Sequence, residues 1–308
     1  MLCVIAGLLL GTAPQTPKPE ATSLLGKPLF APTPSPEARA TLEKNLADAQ
    51  AQLQKDPTSA EAAIWVGRRT AYLGRYRDAI EVFSTAITQH PSDARLYRHR
   101  GHRYITVREF DKAIADLSKA ALLVRDTPDE VEPDGQPNAK NIPTGTLQTN
   151  IYYHLGLARY LKGEFAAAAN AYHRCMALSK NDDMRVATAH WQYMTLRRLK
   201  RDAEAAKVLE PIAQQMDIIE NGSYHRLLMM YQGAVEPDAL LAAARPPALD
   251  AVTIGYGVAN WYLYNGRRDD ARKLIEAIVE QNATTQWAGF GYIASEAELA
   301  RMGQTDKE

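Results

Sequence analysis

Nine arginines and three histidines fall between positions 59 and 110, against five acidic residues. Guanidinium groups grip carboxylates through paired hydrogen bonds, so a basic stretch interleaved with tyrosines favours an acidic or C-terminal carboxylate ligand. The competing account is a solvated helix face, in which Arg98, Arg100 and Arg103 lay their stems on Tyr97 and Tyr104. His99 and His102 stand three apart, with His154 on a later helix, and imidazoles so spaced can ligate a metal. No carboxylate or cysteine completes that set, and no metal site is assigned. Gly289-Phe-Gly-Tyr-Ile-Ala294 fits the loose Gly-x-Gly-x-x-Ala dinucleotide pattern, which needs a strand before it. Here the surroundings read as helix, so close packing explains the small residues better. Neither a Gly-x-Ser-x-Gly elbow nor a phosphate-binding loop occurs. Asp182, Asp183, Asp269 and Asp270 sit where helices start, and capping accounts for them. No catalytic residue, cofactor or enzymatic activity is therefore assigned.

The elements that would position these residues follow a period. Gly67, Tyr76, Ala79 and Phe83 recur at one constant spacing as Gly101, Phe110, Ala113 and Leu117, and Pro57 recurs at that spacing as Pro91. A fixed period of this kind denotes stacked supersecondary units. Leu42, Leu46, Ala49 and Leu53 share a helical face that ends at Asp56-Pro57, phased as the second helix of a unit. Tyr152, Leu155, Gly156, Gly163, Phe165, Ala168, Tyr172 and Cys175 repeat the pattern, but Ala168 lies well over one period beyond Ala113. The surplus is inserted within 126–148. Its first half is acidic and rich in Pro and Gly, which favours disorder; its second half, with Ile142, Pro143 and Leu147, could fold back onto the groove.

The pattern resembles the tetratricopeptide repeat, in which each unit is a helix–turn–helix. The resemblance implies an all-α fold, a right-handed α-solenoid of about six such repeats with a C-terminal capping helix. The expected boundaries are a half-repeat at 37–56, repeats at about 57–93, 94–125, 149–182, 183–217, 221–248 and 250–283, and a cap at 285–302. Gly67 marks the crossing of the two helices in the first unit, Arg100 replaces the usual Leu in the second, and Tyr193 replaces the small crossing residue in the fourth. The outer face of the cap would carry Glu296, Glu298 and Arg301. The resemblance also implies a concave groove lined by each unit's first helix. Its phase places Arg68, Arg98, His102, Tyr153, His154, His190, Trp191, Tyr256 and Asn260 there, as a surface for a protein or peptide. The Lys and Asn set with which some relatives grip acidic chaperone tails is missing, since Ile64, Arg68 and His99 stand in its place.

Composition sets the remaining bounds. The 308 residues are 46% apolar and 23% charged, and 36 basic residues balance 36 acidic ones, so net charge suggests no nucleic-acid partner. Residues 1–13 carry an apolar run too short to span a bilayer but suited to a signal peptide. Export to a periplasm or exterior is expected on that ground, with a cytoplasmic protein as the alternative, and membrane contact only through an uncleaved N-terminus. Seven prolines between 14 and 36 read as an extended tether. Cys175 falls at a small buried position and reads as a reduced core thiol.

Three functions fit this sequence. The first is a non-catalytic scaffold that docks a partner segment, acidic in character, in the groove. The second is a small-ligand or enzymatic pocket roofed by the 126–148 insertion and lined by His102, His154, His190 and tyrosines. The third is a structural spacer in a larger assembly.

Overall fold

The computed structural model describes residues 18–244 and 249–305. The expected signal segment, 1–13, lies outside them. The described residues contain fourteen helices and one small hairpin. Helix α1 (Pro36–Lys55) is followed by antiparallel pairs: α2 (Ala60–Tyr72) with α3 (Tyr76–Gln89), α4 (Ala94–Thr106) with α5 (Phe110–Leu123), and α6 (Leu147–Lys162) with α7 (Phe165–Leu178). Next come α8 (Asp182–Arg198) with α9 (Asp202–Leu209), α10 (Gly222–Tyr231) with α11 (Pro237–Ala243), and α12 (Leu249–Tyr264) with α13 (Arg268–Asn282). Helix α14 (Phe290–Thr305) ends the array.

Local chemistry fixes where these helices begin. Ser59 and Asn181 accept a hydrogen bond from the third residue beyond them, Asp93 from the second, and Thr146 with Thr149 forms a reciprocal capping box. Within the pairs, glycines let helix axes approach. A Cβ on Gly67 would stand 2.4 Å from the Phe83 ring, on Gly101 2.7 Å from Leu117, and on Gly156 2.7 Å from Tyr172. The fourth unit does without such a glycine: α9 is a short helix, and Tyr193 stacks on Tyr231 at 4.6 Å. Arg100 is not left to solvent. It forms a forked ion pair with Asp116 (2.7 and 2.8 Å) and also donates to Ser84.

The turn inside each pair needs a left-handed residue. Gly74, Gly163 and Gly266 provide it at φ of 79°, 85° and 81°. Arg108 holds the same conformation in the second unit at φ 67°, where a side chain is sterically strained. Its side chain shows why it is retained. The buried guanidinium pairs with Glu296 (2.9 Å), donates to the carbonyls of Thr106 and Trp287 (2.5 and 2.7 Å), and lies over the rings of Trp287 and Tyr292.

Arg108 thus joins an early turn to the last helix, and the array curls until its end meets its beginning. One apolar core contains Ile64, Phe83 and Leu96 together with Val252, Ile278, Trp287 and Tyr292. Two expectations are corrected by this closure. The cap does not show its charged face to solvent: Glu296 and Glu298 are 0% and 2% exposed, the former on Arg108 and the latter between Arg198 and Arg301. The proline-rich stretch, described from residue 18 onward, is not a free tether either. Strands β1 (Ala21–Thr22) and β2 (Pro28–Leu29) form an antiparallel hairpin that buries Ala21 and Leu29 in the same core. The Phe30 carbonyl accepts a hydrogen bond from the Trp287 indole at 2.6 Å.

Candidate functional site

The inserted segment is the first surprise of the site. Its acidic first half, expected to be disordered, lies across the basic face of α2 and α4. Arg98 pairs with Glu132 at 2.9 Å, Arg68 donates to the Pro133 carbonyl at 2.8 Å, and Arg69 donates to the Gly135 carbonyl at 2.7 Å. Gly135 is required for so close a docking, because a Cβ there would meet the Tyr72 hydroxyl at 1.7 Å. The rest of the insertion is anchored by Asn138 and Thr144 to Glu220, by Lys140 to Asp217, and by Asp129 to Thr146 and the Gln148 amide.

Beneath this roof lies an outer cavity of about 460 Å³. Arg68, Arg98, His102, Tyr153 and His154, all named from the sequence, line it together. Glu132, Asp134, Asn150, Tyr224 and Phe290 also line it and were not expected there from the sequence. A signal for the first two existed: the acidic run Glu130, Glu132, Asp134 ends at Gly135, in a segment of opposite charge to the basic helices it meets. Nothing local marks Phe290, which reaches the cavity from the far end of the chain. It packs within 5.5 Å of His102 and 5.7 Å of His154.

His190, Trp191, Tyr256 and Asn260 are not groove residues in this structure. All four are at most 1% exposed. His190 stacks on Tyr224 at 4.7 Å and meets the Tyr231 hydroxyl through Nδ1 at 3.2 Å; Trp191 stacks on Tyr256 at 6.0 Å. The Tyr256 and Tyr160 hydroxyls share a 2.7 Å hydrogen bond, and Asn260 accepts from Arg198. The physical reason is the closure described above: with α10, α12 and α14 packed inward, this stretch of the concave surface becomes core. His190 accordingly does not join His102 and His154.

Electrostatics divide the site. Burial, then the neighbouring arginines, hold His99, His102 and His154 well below the usual imidazole range, so all three are neutral; at His154 a backbone hydrogen bond to Asn150 works the other way. Burial alone brings His190 down to about 3. His102 and His154 lie ring to ring at 4.3 Å, whereas His99 stacks on Phe83. Among the described residues no three His, Cys, Asp or Glu side chains converge as a metal would need. On the roof, burial and then Glu220 push the Asp134 carboxyl up, against Arg68. One oxygen each of Glu132 and Asp134 is shielded from solvent without a hydrogen-bond partner. The cavity therefore has a basic floor on α2 and α4 and an acidic roof. Cys175 does not line it; it is a buried thiol that burial pushes up to about 12.

No protein-family model matches the chain, and no curated protein matches it in sequence. Solved structures similar to it include tetratricopeptide proteins. One from Parabacteroides merdae is 12% identical with a TM-score of 0.49, covering 85% of this chain and 93% of that one. YrrB, described as a tetratricopeptide protein with an unusual peptide-binding site, is 14% identical with a TM-score of 0.44, covering 78% and 95%. MamA is 16% identical with a TM-score of 0.43, covering 65% and 89%. Paired helices crossing at Gly67, Gly101 and Gly156 show that this chain folds as a solenoid of the tetratricopeptide type, closed on itself by its last helix.

Proposed function

We propose that the protein is a non-catalytic interaction module that receives a short acidic segment of a partner protein in its outer cavity. The observation that supports this reading is the docking of the insertion itself. The basic face of α2 and α4 already holds an extended acidic stretch, Glu132 to Gly135, through one carboxylate and two carbonyls. The same guanidiniums border the cavity beside it, where Tyr153, Tyr224 and Phe290 offer apolar contact. A partner would present its carboxylate toward Arg68 and Arg98 and its amide donors toward Asp134 and Glu220. Because α14 fills the concave surface further on, the segment is short.

A panel of immobilised peptides, with free or blocked C-termini and acidic, neutral or basic composition, tests this against the parent and Thr253→Trp. Thr253 lines the cavity from α12 without being buried, so the indole fills the space without disturbing the core. Acidic members are expected to bind the parent and to lose the variant. Equal binding to both, or no preference for acidic members, refutes the reading. A second reading, a small-molecule pocket, is favoured by one observation: a roofed cavity of about 460 Å³ has the size of ordinary ligand sites. A thermal-shift screen of small molecules against the same pair of proteins separates the two.

A further inference from the structure

Behind the outer cavity, between α2 and α4, is a smaller one of about 120 Å³. Its walls include Tyr72, Phe83, His99 and Arg103, and it shares Arg68, Arg98, His102 and Glu132 with the outer cavity. Three guanidiniums thus face a volume to which a single carboxylate contributes. That carboxylate, Glu132, is paired with Arg98. Arg68 donates to a neutral carbonyl, and Asp134, across the outer cavity, balances its charge only in part. Asp134 borders only the outer cavity.

Arg103 is the telling residue. Among the described residues its guanidinium has no hydrogen bond and no ion pair; it lies over the Tyr76 ring, 5.6 Å from the centroid. Burial in the first place, with Arg98 and Arg68 adding to it, lowers it to about 10, against the opposing pull of the Tyr76 and Tyr72 hydroxyls. The adjacent imidazoles of His99 and His102 are kept neutral by burial and by the same arginines. Arg103 is half-buried, and three guanidiniums lining one small cavity repel one another, which an anion between them relieves. Around the inner cavity itself three guanidiniums face one carboxylate, an excess of positive charge that a phosphate group, doubly charged near neutral pH, offsets. Forked guanidinium donors suit its oxygens.

We propose that the inner cavity is an anion site, which holds a doubly charged oxyanion of the phosphate type between Arg68, Arg98 and Arg103. The anion is either free or the head of a larger molecule whose body lies in the outer cavity against Tyr153, Tyr224 and Phe290. This goes beyond the docking of a partner segment, because it assigns a ligand to a second cavity, which shares Arg68 and Arg98 with the outer one and adds Arg103.

Thermal unfolding of the full chain in inorganic phosphate, against chloride at equal ionic strength, is the test. At about 10 mM phosphate the parent is expected to gain roughly 2–4 °C or more, as a ligand bound only by the folded state must provide. Arg103→Gln is expected to fold at least as stably as the parent without phosphate, because it deletes an unpartnered charge, and to lose the gain. Arg103→Lys keeps part of it. No gain in the parent, or an equal gain in Arg103→Gln, overturns the site. Phenyl phosphate decides the source: tighter binding than inorganic phosphate identifies a head group, and equal binding a free anion. A phosphate effect that persists while the peptide panel shows no acidic preference leaves the anion site standing and removes only the partner reading.

Discussion

Replacing Arg108 by glycine separates two accounts of the residue by the sign of the outcome. At this turn the first, third and sixth units have Gly74, Gly163 and Gly266, all at positive φ. If Arg108 only made the turn, glycine would relieve its left-handed strain and stabilise the fold by about 1–2 kcal/mol. In the structure, however, the guanidinium neutralises Glu296, and the two side chains are 3% and 0% exposed. Removing one partner of a buried ion pair costs about 3–5 kcal/mol, because the other charge stays in the core. The loss is sharper here because Glu296 Oε1 already lacks a partner. The net expectation is a destabilisation of about 1–4 kcal/mol, or roughly 2–16 °C in Tm for a chain of this size. Calorimetry gives the Tm, and amide exchange read along α14 and the 20–30 hairpin locates the effect, since those segments should open first. A double variant, Arg108→Gly with Glu296→Leu, should recover most of the loss by leaving no orphan charge. A Tm that rises in the single variant, or exchange in α14 that does not change, would refute the closing role.

Two further outcomes are expected. Gly135→Ala places a methyl against the Tyr72 hydroxyl and should release the insertion, seen as faster proteolysis within 126–146 at a cost of about 1–3 kcal/mol; Tyr72→Phe should restore part of the protection, and unchanged cleavage refutes the docking. Below about pH 6.5 the unfolded chain takes up protons that His99, His102, His154 and His190 refuse in the fold, so stability should fall as pH drops. For His190, lowered to about 3, the loss from pH 7 to 5 is about 2 kcal/mol, and a Tm that is flat over that interval contradicts its buried, neutral state.

What could be read in the sequence was whatever a unit does with its own residues or its neighbour's. Gly67 against Phe83 and Gly101 against Leu117 are contacts made within one unit at a common spacing, and a period preserves them. The second-unit departure at Arg100 was visible, and its partner Asp116 lies at the same spacing. The cluster of Arg68, Arg98, His102, Tyr153 and His154 was legible for the same reason, because adjacent first helices stand side by side. The remainder depends on contacts that no period encodes. Arg108 meets Glu296 across 188 positions, and Tyr160 meets Tyr256 across 96. Charged residues on the last helix look solvent-facing when that helix is taken as an end, and become core once the array curls. His190, Trp191, Tyr256 and Asn260 were displaced from the groove by that single fact.

The bond from Trp287 to Phe30 has a consequence for how the chain is made. Translation proceeds at about 5–20 residues per second, so 257 positions separate the two partners by roughly 13–50 s. Once the first units have been made and until the last helices follow, the hairpin lacks its Trp287 partner and Ile64, Phe83 and Leu96 keep an uncovered side. Synthesis thus leaves an apolar seam facing water until the last helices arrive. The nascent protein in this window is the form most exposed to aggregation and the one a chaperone would meet, whereas the finished ring offers it little to hold.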